Sequence, residues 1–455
     1  MKRLLLAGSL SLALGACALG PDYQRPELSM PDAYGEAIDG GESIANLSWW
    51  QLFEDERLRE LVEIALAENR NLAVAAARVE EARARAGFVR ADQFPRIDVG
   101  GGASVTEPGS FTPDPGRQER YELGAALSWE LDFWGRLRRL TEAERAELLA
   151  TEEAQRNVIV TLVADVASAY LLLLDLDERL AISSRTLASR EASLQIVQAR
   201  FDQGTVPLLD VNQAEIEAGE AQASVAALER DIVQTENLLS VLLGRSPRPV
   251  MRSASRAVVL AAPIVPAGLP SDLLEKRPDV RQAEQALAAQ TARIGAAEAL
   301  RLPTFSLTGA LGLASDDLSN FTDSNAGTWG LGASLFGPLF DWGQSARRVE
   351  IEQARTRQLL SSYEQTVLQA LREVEDSLAG VRTFGQELAA RERQVSAARS
   401  AASLSRARYD GGVTSYLEVL DSERSLFVAE LSASATRRQQ LVAIVTLYKA
   451  LGGGW

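Results

Sequence analysis

Glu418 and Asp421 stand three residues apart in "YLEVLDSER", just past the double glycine Gly411–Gly412. At that spacing both carboxylates share one helix face, where they can draw cations or simply solvate a polar surface. Nothing in the chain offers them catalytic company. Its 455 residues include no histidine, which removes His-based triads, most zinc sites and imidazole bases together. The single cysteine, Cys17, allows neither a disulfide nor a thiolate cluster. The expected chemistry is electrostatic: no enzyme, no cofactor and no metal.

Cys17 has a setting of its own. Lys2 and Arg3 precede an apolar run from Leu4 to Leu14, which ends in "LGAC". That pattern predicts a signal peptide over residues 1–16, too short to span a bilayer as a helix. A Cys directly after Leu-Gly-Ala resembles a bacterial lipoprotein signal, with Cys17 acylated at the head of the mature chain. Ala18 in place of Asp then favours the outer membrane. The plainer alternative is an ordinary signal peptide with an incidental Cys. A net charge of −15 argues against nucleic acid and bare anionic lipid as partners.

The stretch around the carboxylates, "RYDGGVTSYLEVLDSE" (408–423), has an echo in "RFDQGTVPLLDVNQAE" (200–215), an offset of 208. The same offset pairs Pro95 with Pro303, Trp134 with Trp342, Gly135 with Gly343 and Gly244 with Gly452. The chain is therefore a tandem duplication. An N-terminal segment (17–57) leads into repeat 1 (58–244), a proline-rich linker (245–272) and repeat 2 (273–455).

Each repeat opens with a helix, written continuously as Leu58–Ala91 in repeat 1. Strict alternation follows over Arg96–Thr106 and Tyr121–Leu131, and again over Thr304–Ala314 and Trp329–Leu339. Period two over about eleven residues predicts strands, and ~9–11 residues is the length of a tilted transmembrane strand. Loops rich in Gly, Pro, Asp and Ser join them into hairpins, 96–131 and 304–339, with Tyr121, Trp129 and Trp329 near strand ends. A soluble hairpin with one wet face is the alternative. Long helices follow at 136–203 and 344–410, each ~100 Å at 1.5 Å per residue, and then return helices. Val367, Leu371, Val374, Leu378, Val381 and Leu388 follow coiled-coil spacing. "AYLLLLDL" (169–176) is too short for a transmembrane helix and reads as a buried seam.

Four strands cannot close a barrel, and an open sheet edge in lipid leaves backbone groups unsatisfied. Membrane strands would thus be pooled between subunits: eight from two chains, or twelve, with room for a channel, from three. Both hairpins return the chain to the side it left, so the helices continue the barrel as a tube. Such an object is a conduit.

"LGAC", "GPDYQRP" (20–26), "SWWQLFEDERLRELVEIALAENRNL" (48–72), "WELDFWGRLRR" (129–139), "LLEKRPDVRQAE" (273–284) and "YLEVLDSERSLF" (416–427) together resemble the TolC-type outer-membrane efflux proteins, in their lipoprotein branch. The resemblance implies a mainly α fold with a transmembrane β-barrel contribution. Its assembly would be a homotrimer with a twelve-stranded barrel and a periplasmic helical tunnel. Its partners would be a periplasmic adaptor and an inner-membrane resistance-nodulation-division pump, and the linker and N-terminal segment would girdle the tunnel.

The resemblance also implies that Gly204, Thr205 and Val206 form one adaptor-contacting tip and Gly412, Val413 and Thr414 the other. In a glycine-only reading these are turn formers. Glu418 and Asp421 match constriction carboxylates, and Asp210 and Tyr409 match an inter-helix pair that holds the closed state. Thr414 stands where some members carry a gate-tying arginine, with Arg424 as the candidate replacement. A duct for protein secretion and a poreless periplasmic scaffold are the competing functions. The substrate is not encoded in these motifs.

Overall fold

The computed structural model describes residues 18–35, 55–107, 117–253 and 270–453. The signal peptide, Cys17, part of the N-terminal segment, the first hairpin loop and most of the linker lie outside the described residues. Repeat 1 holds α1 (Glu56–Glu68), α2 (Arg70–Ala91), β1 (Arg96–Thr106), β2 (Gln118–Leu131), α3 (Arg136–Asp202) and α4 (Leu208–Leu242). Repeat 2 holds α5 (Leu273–Lys276), α6 (Pro278–Ala299), β3 (Thr304–Ser315), β4 (Gly327–Phe336), α7 (Gln344–Asp410) and α8 (Tyr416–Ala450).

The helix expected to be continuous over Leu58–Ala91 breaks at Asn69. This residue is extended, donates its N–H to Ala65 O, and accepts the Leu72 N–H on Oδ1 at 2.9 Å, capping α2. Its Nδ2 also donates to Leu242 O at the end of α4, at 2.8 Å. Arg277, 208 residues on, breaks α5 from α6 and donates from Nη1 to Ala450 O at the end of α8, at 2.9 Å. Leu242 and Ala450 are themselves 208 apart, so both repeats make one joint with different side chains. Glycine seals it: a Cβ on Gly244 would lie 2.1 Å from Glu68 O, and one on Gly452 2.6 Å from Lys276 O. The second hairpin is also shorter than its alternation. β4 stops at Phe336, two residues before Pro338, which has no N–H for a ladder.

Compact packing does not follow the repeats. One unit gathers Ala77–Glu153 and Gln282–Gln365 with the described start of the chain; the other gathers Ser29–Ala76, Ala154–Arg281 and Thr366–Trp455. Pairing across the repeats explains this in the first unit. Its sheet is antiparallel in the order β1-β2-β3-β4, so β2 of one repeat bonds β3 of the other.

Register sorts the sheet into two faces. Ile97, Leu127, Gly309 and Leu331 form one row, and Val99, Ala125, Leu311 and Trp329 the next. Rows of opposite phase carry small or polar residues: Arg96, Ser128, Thr308 and Gly332, then Gly100, Gly124, Gly312 and Thr328. One face is thus apolar and the other polar, and β1 and β4 are exposed along their whole lengths. An apolar outside and a polar inside is the sorting of a membrane barrel.

In the same unit the N-terminal segment is tied down. Arg139 donates to Leu19 O and Gly20 O, Arg25 grips Glu284 through two bonds of 2.8 and 2.9 Å, and Gly20 lies backbone-on-backbone against Gly295.

The second unit is helical, with Leu58, Leu61, Val62, Val166, Leu239, Leu273 and Leu447 fully buried. By composition α3 is long and apolar enough to cross a membrane. Tyr170, Leu171, Leu173 and Leu176 are nevertheless buried in protein packing, so "AYLLLLDL" is a core seam. Val367, Val374 and Leu378 are buried on α7 as well. The described start of the linker is pinned: Arg252 pairs with Asp177, Val250 N–H reaches Glu236, and Ser253 N–H bonds the Tyr170 hydroxyl.

Candidate functional site

The two helix breaks are one turn built twice. Gly204 has φ +74° and Gly412 φ +70°. At the first, Gly204 N–H bonds Phe201 O and Thr205 N–H bonds Arg200 O; at the second, Gly412 N–H bonds Tyr409 O and Val413 N–H bonds Arg408 O. Both are Schellman caps with glycine in the left-handed position. A Cβ at either glycine would meet nothing within 4 Å, so backbone conformation alone selects the residue. Thr205 and Val413 are exposed beside them, and Val206 turns back toward the core.

The two turns pack on each other. Val197, Val211 and Ala214 from α3 and α4 form a buried cluster with Tyr416, Val419 and Leu420 from α8, and Phe201, Val206 and Tyr409 pack at its margin. The Tyr409 and Tyr416 rings lie 5.3 Å apart, and the Arg200 guanidinium sits 4.9 Å from the Tyr409 centroid. Burial pushes the Tyr416 phenol up to about 12. It stays neutral and serves as packing.

Around this core the predicted gate residues separate into distinct environments. Glu418 is half-buried in the first turn of α8, accepts a hydrogen bond from Thr414 Oγ1, and pairs with Arg408 Nη1 at 3.3 Å. Asp210 holds the equivalent first-turn position of α4, where a carboxylate complements the helix dipole. Asp421 is exposed. The Tyr409 hydroxyl is buried without a hydrogen-bond partner, so the pair with Asp210 is not made within this chain. Arg424 Nε lies 3.5 Å from Glu217. Thr414 and Arg408, on the turn itself, hold the Glu418 carboxylate instead.

A buried charge network behind the turns escaped the sequence reading. Arg190, only 3% exposed, donates to Glu217 O at 2.7 Å, pairs with the Glu217 carboxylate at 2.8 Å and lies 5.2 Å from the Phe427 centroid. Arg406 donates to Ser193 Oγ and pairs with Glu423 at 3.4 Å. Burial raises the Glu423 carboxyl above its ordinary range, Arg406 and Arg190 oppose that shift, and Glu217 reinforces it. Glu430 on α8 is clamped at 2.8 Å by both Arg185 of α3 and Arg399 of α7. A cavity of about 460 Å³ lies among these groups. The signal available in sequence was weak, because single arginines in long polar helices read as solvated.

The arrangement holds two helical hairpins together through ion pairs, and among the described residues no cluster of His, Cys, Asp or Glu is set to hold a metal. Comparison with known proteins places this geometry. The sequence profile of the outer membrane efflux proteins matches residues 61–245 and again 269–453, two segments displaced by the same 208 residues. The solvent efflux pump outer membrane protein SrpC of Pseudomonas putida is 37% identical, over 98% of this chain and 97% of its own length. The cation efflux system protein CusC of Escherichia coli K12 is 34% identical over 99% of both chains. The solved structure of the outer-membrane channel OprN superposes with a TM-score of 0.89 at 33% identity, covering 96% of this chain and all of that one.

Proposed function

The chain belongs to the outer membrane efflux protein family and is an outer-membrane efflux duct, and from that premise we propose that it works as a passive homotrimeric channel gated at its paired glycine turns. Three copies pool their four strands into a twelve-stranded barrel, which leaves no open edge in lipid. The observation that carries this reading is the sheet: one apolar face, one polar face and two fully exposed edge strands. A single chain cannot leave such a sheet in a bilayer. A poreless scaffold gives no reason for that sorting.

In this proposal the turns Gly204–Val206 and Gly412–Thr414 meet a periplasmic adaptor, which couples the duct to an inner-membrane resistance-nodulation-division pump. Substrate choice belongs to the pump. The relatives' names span solvents and cations, and we assign this chain the broad class of small toxic molecules. Glu418 and Asp421 form acidic rings across the lumen, and the unsatisfied Tyr409 hydroxyl takes Asp210 as its acceptor in the closed assembly. The Arg408–Glu418–Thr414 group replaces the arginine tie found in other members. Acylated Cys17 supplies a lipid anchor, and the duct carries out no catalytic step.

The test is single-channel recording in planar bilayers together with efflux in cells lacking the gene. The expected result is small, mostly closed conductance from heat-dissociable trimers, and restored resistance to at least one toxic compound. Purified protein that inserts but never conducts, even after the turns are loosened by substitution, would sink the channel reading.

A further inference from the structure

The seam between β2 and β3 has a duplicate that one chain cannot complete. Along it Leu131 faces Phe305, Leu127 faces Gly309 and Leu123 faces Leu313, and at its foot the Trp134 indole Nε1 donates to Pro303 O at 2.7 Å. Shifting β2 forward by the repeat offset lands on β4 and the chain after it; shifting β3 back lands on β1. Residues covered on the internal seam are bare at the shifted positions. Leu131 and Trp134 are half-buried, but Leu339 and Trp342 are 101% and 89% exposed. Pro303 and Phe305 are half-buried, whereas Pro95 is exposed and Ile97 is 66% exposed. Among the described residues Trp342 is also the non-glycine residue with positive φ, at +52°, a conformation that surroundings must hold in place for a bulky side chain.

We infer that β4 receives β1 of a second copy of this chain in the register of β2 on β3, with the Trp342 indole donating to the Pro95 carbonyl of that copy. The inference rests on the trimeric-channel reading and adds to it the residue-level pairing of the closing seam. The transferred register sets Leu339 beside Ile97, Leu331 beside Val105, Ala333 beside Ala103 and Phe336 beside Gly100. The first two pairs keep apolar side chains on the apolar face. The last sets an exposed phenyl against a glycine whose Cβ position is open to 4 Å. A slip of one residue would turn the apolar set inward. A slip of two keeps the face but moves Phe336 from Gly100 to Gly102, which already carries the Glu122 side chain over it, or to Asp98.

Paired cysteines test this in the full chain, with Cys17 left in place and the chain carrying Cys17 alone as the blank. Ala103→Cys with Ala333→Cys is expected to give disulfide-linked trimers on oxidation. The shifted pairs Gly101→Cys or Val105→Cys with Ala333→Cys are expected to give little. Trp342→Phe, which keeps an aromatic ring but removes the indole N–H, should lower the temperature at which trimers dissociate. Mass measurement in detergent separates the outcomes. Trimers that cross-link through a shifted pair, or through none, overturn the register and leave the channel reading standing. Trimers unaffected by Trp342→Phe overturn the indole contact. A monomeric mass overturns both the inference and the reading beneath it.

Discussion

Single residues at the turns act through conformation and charge, and the two effects are separable. Gly412 has open space around it, so Gly412→Ala should cost only the left-handed backbone strain, about 1 kcal/mol. Thermal unfolding should show that as a small fall in midpoint; a collapse of the fold would mean a contact had been overlooked. Glu418→Gln combined with Asp421→Asn should leave stability nearly unchanged, because both carboxylates are at least partly solvated. Reversal potentials should then shift toward weaker cation preference, and unaltered ion selectivity would remove these carboxylates from the pore. Arg190 is different in kind. Arg190→Met leaves the largely buried Glu217 carboxylate with Arg424 as its remaining partner and should destabilise by roughly 2–3 kcal/mol, readable in denaturant midpoints.

Elements show what could be read in advance and what could not. Strand β1, the start of α3 and both ends of α7 stand where alternation, Gly-Pro punctuation and the 208-residue echo put them, because those signals are local. The joints at Asn69 and Arg277 had only short local signals, a capping Asn and the Pro278 that follows Arg277, and each is fastened to the carbonyl of a helix end more than 170 residues away. Propensity favours helix through most of "AENRNL", and Asn69 breaks it by capping α2 through the Leu72 N–H while bonding Leu242 O. The residues expected at the gate lie at or just past the two turns, but their partners were not legible, as Arg424 turning to Glu217 illustrates. Helix α8 also carries a pH dependence. With its folded-state carboxyl raised by burial, Glu423 binds a proton more tightly folded than unfolded. Its contribution favours the folded state while protonated and is lost as pH rises from the ordinary glutamate range through the raised value. Glu423→Gln should therefore gain thermal stability on the wild type toward neutral pH and lose that advantage in acid. A gap constant across pH would contradict the sign.

At the scale of the whole molecule, the sheet's two faces predict opposite tolerances one residue apart. Leu331→Arg puts a cation on the apolar face and should cost about 2–4 kcal/mol if it lies near mid-bilayer, whereas Gly330→Arg on the polar face, with nothing within 4 Å, should insert normally. Membrane fractionation and heat-modifiable gel migration distinguish the two variants. The backbone contact of Gly20 on Gly295 reaches further. Ala18 packs so tightly at Gly135 that a Cβ there would lie 2.7 Å from the Ala18 Cα, at the foot of β2. The described chain therefore begins locked against the end of that strand, and the depth at which β2 ends in the bilayer fixes the level at which Ala18 is held.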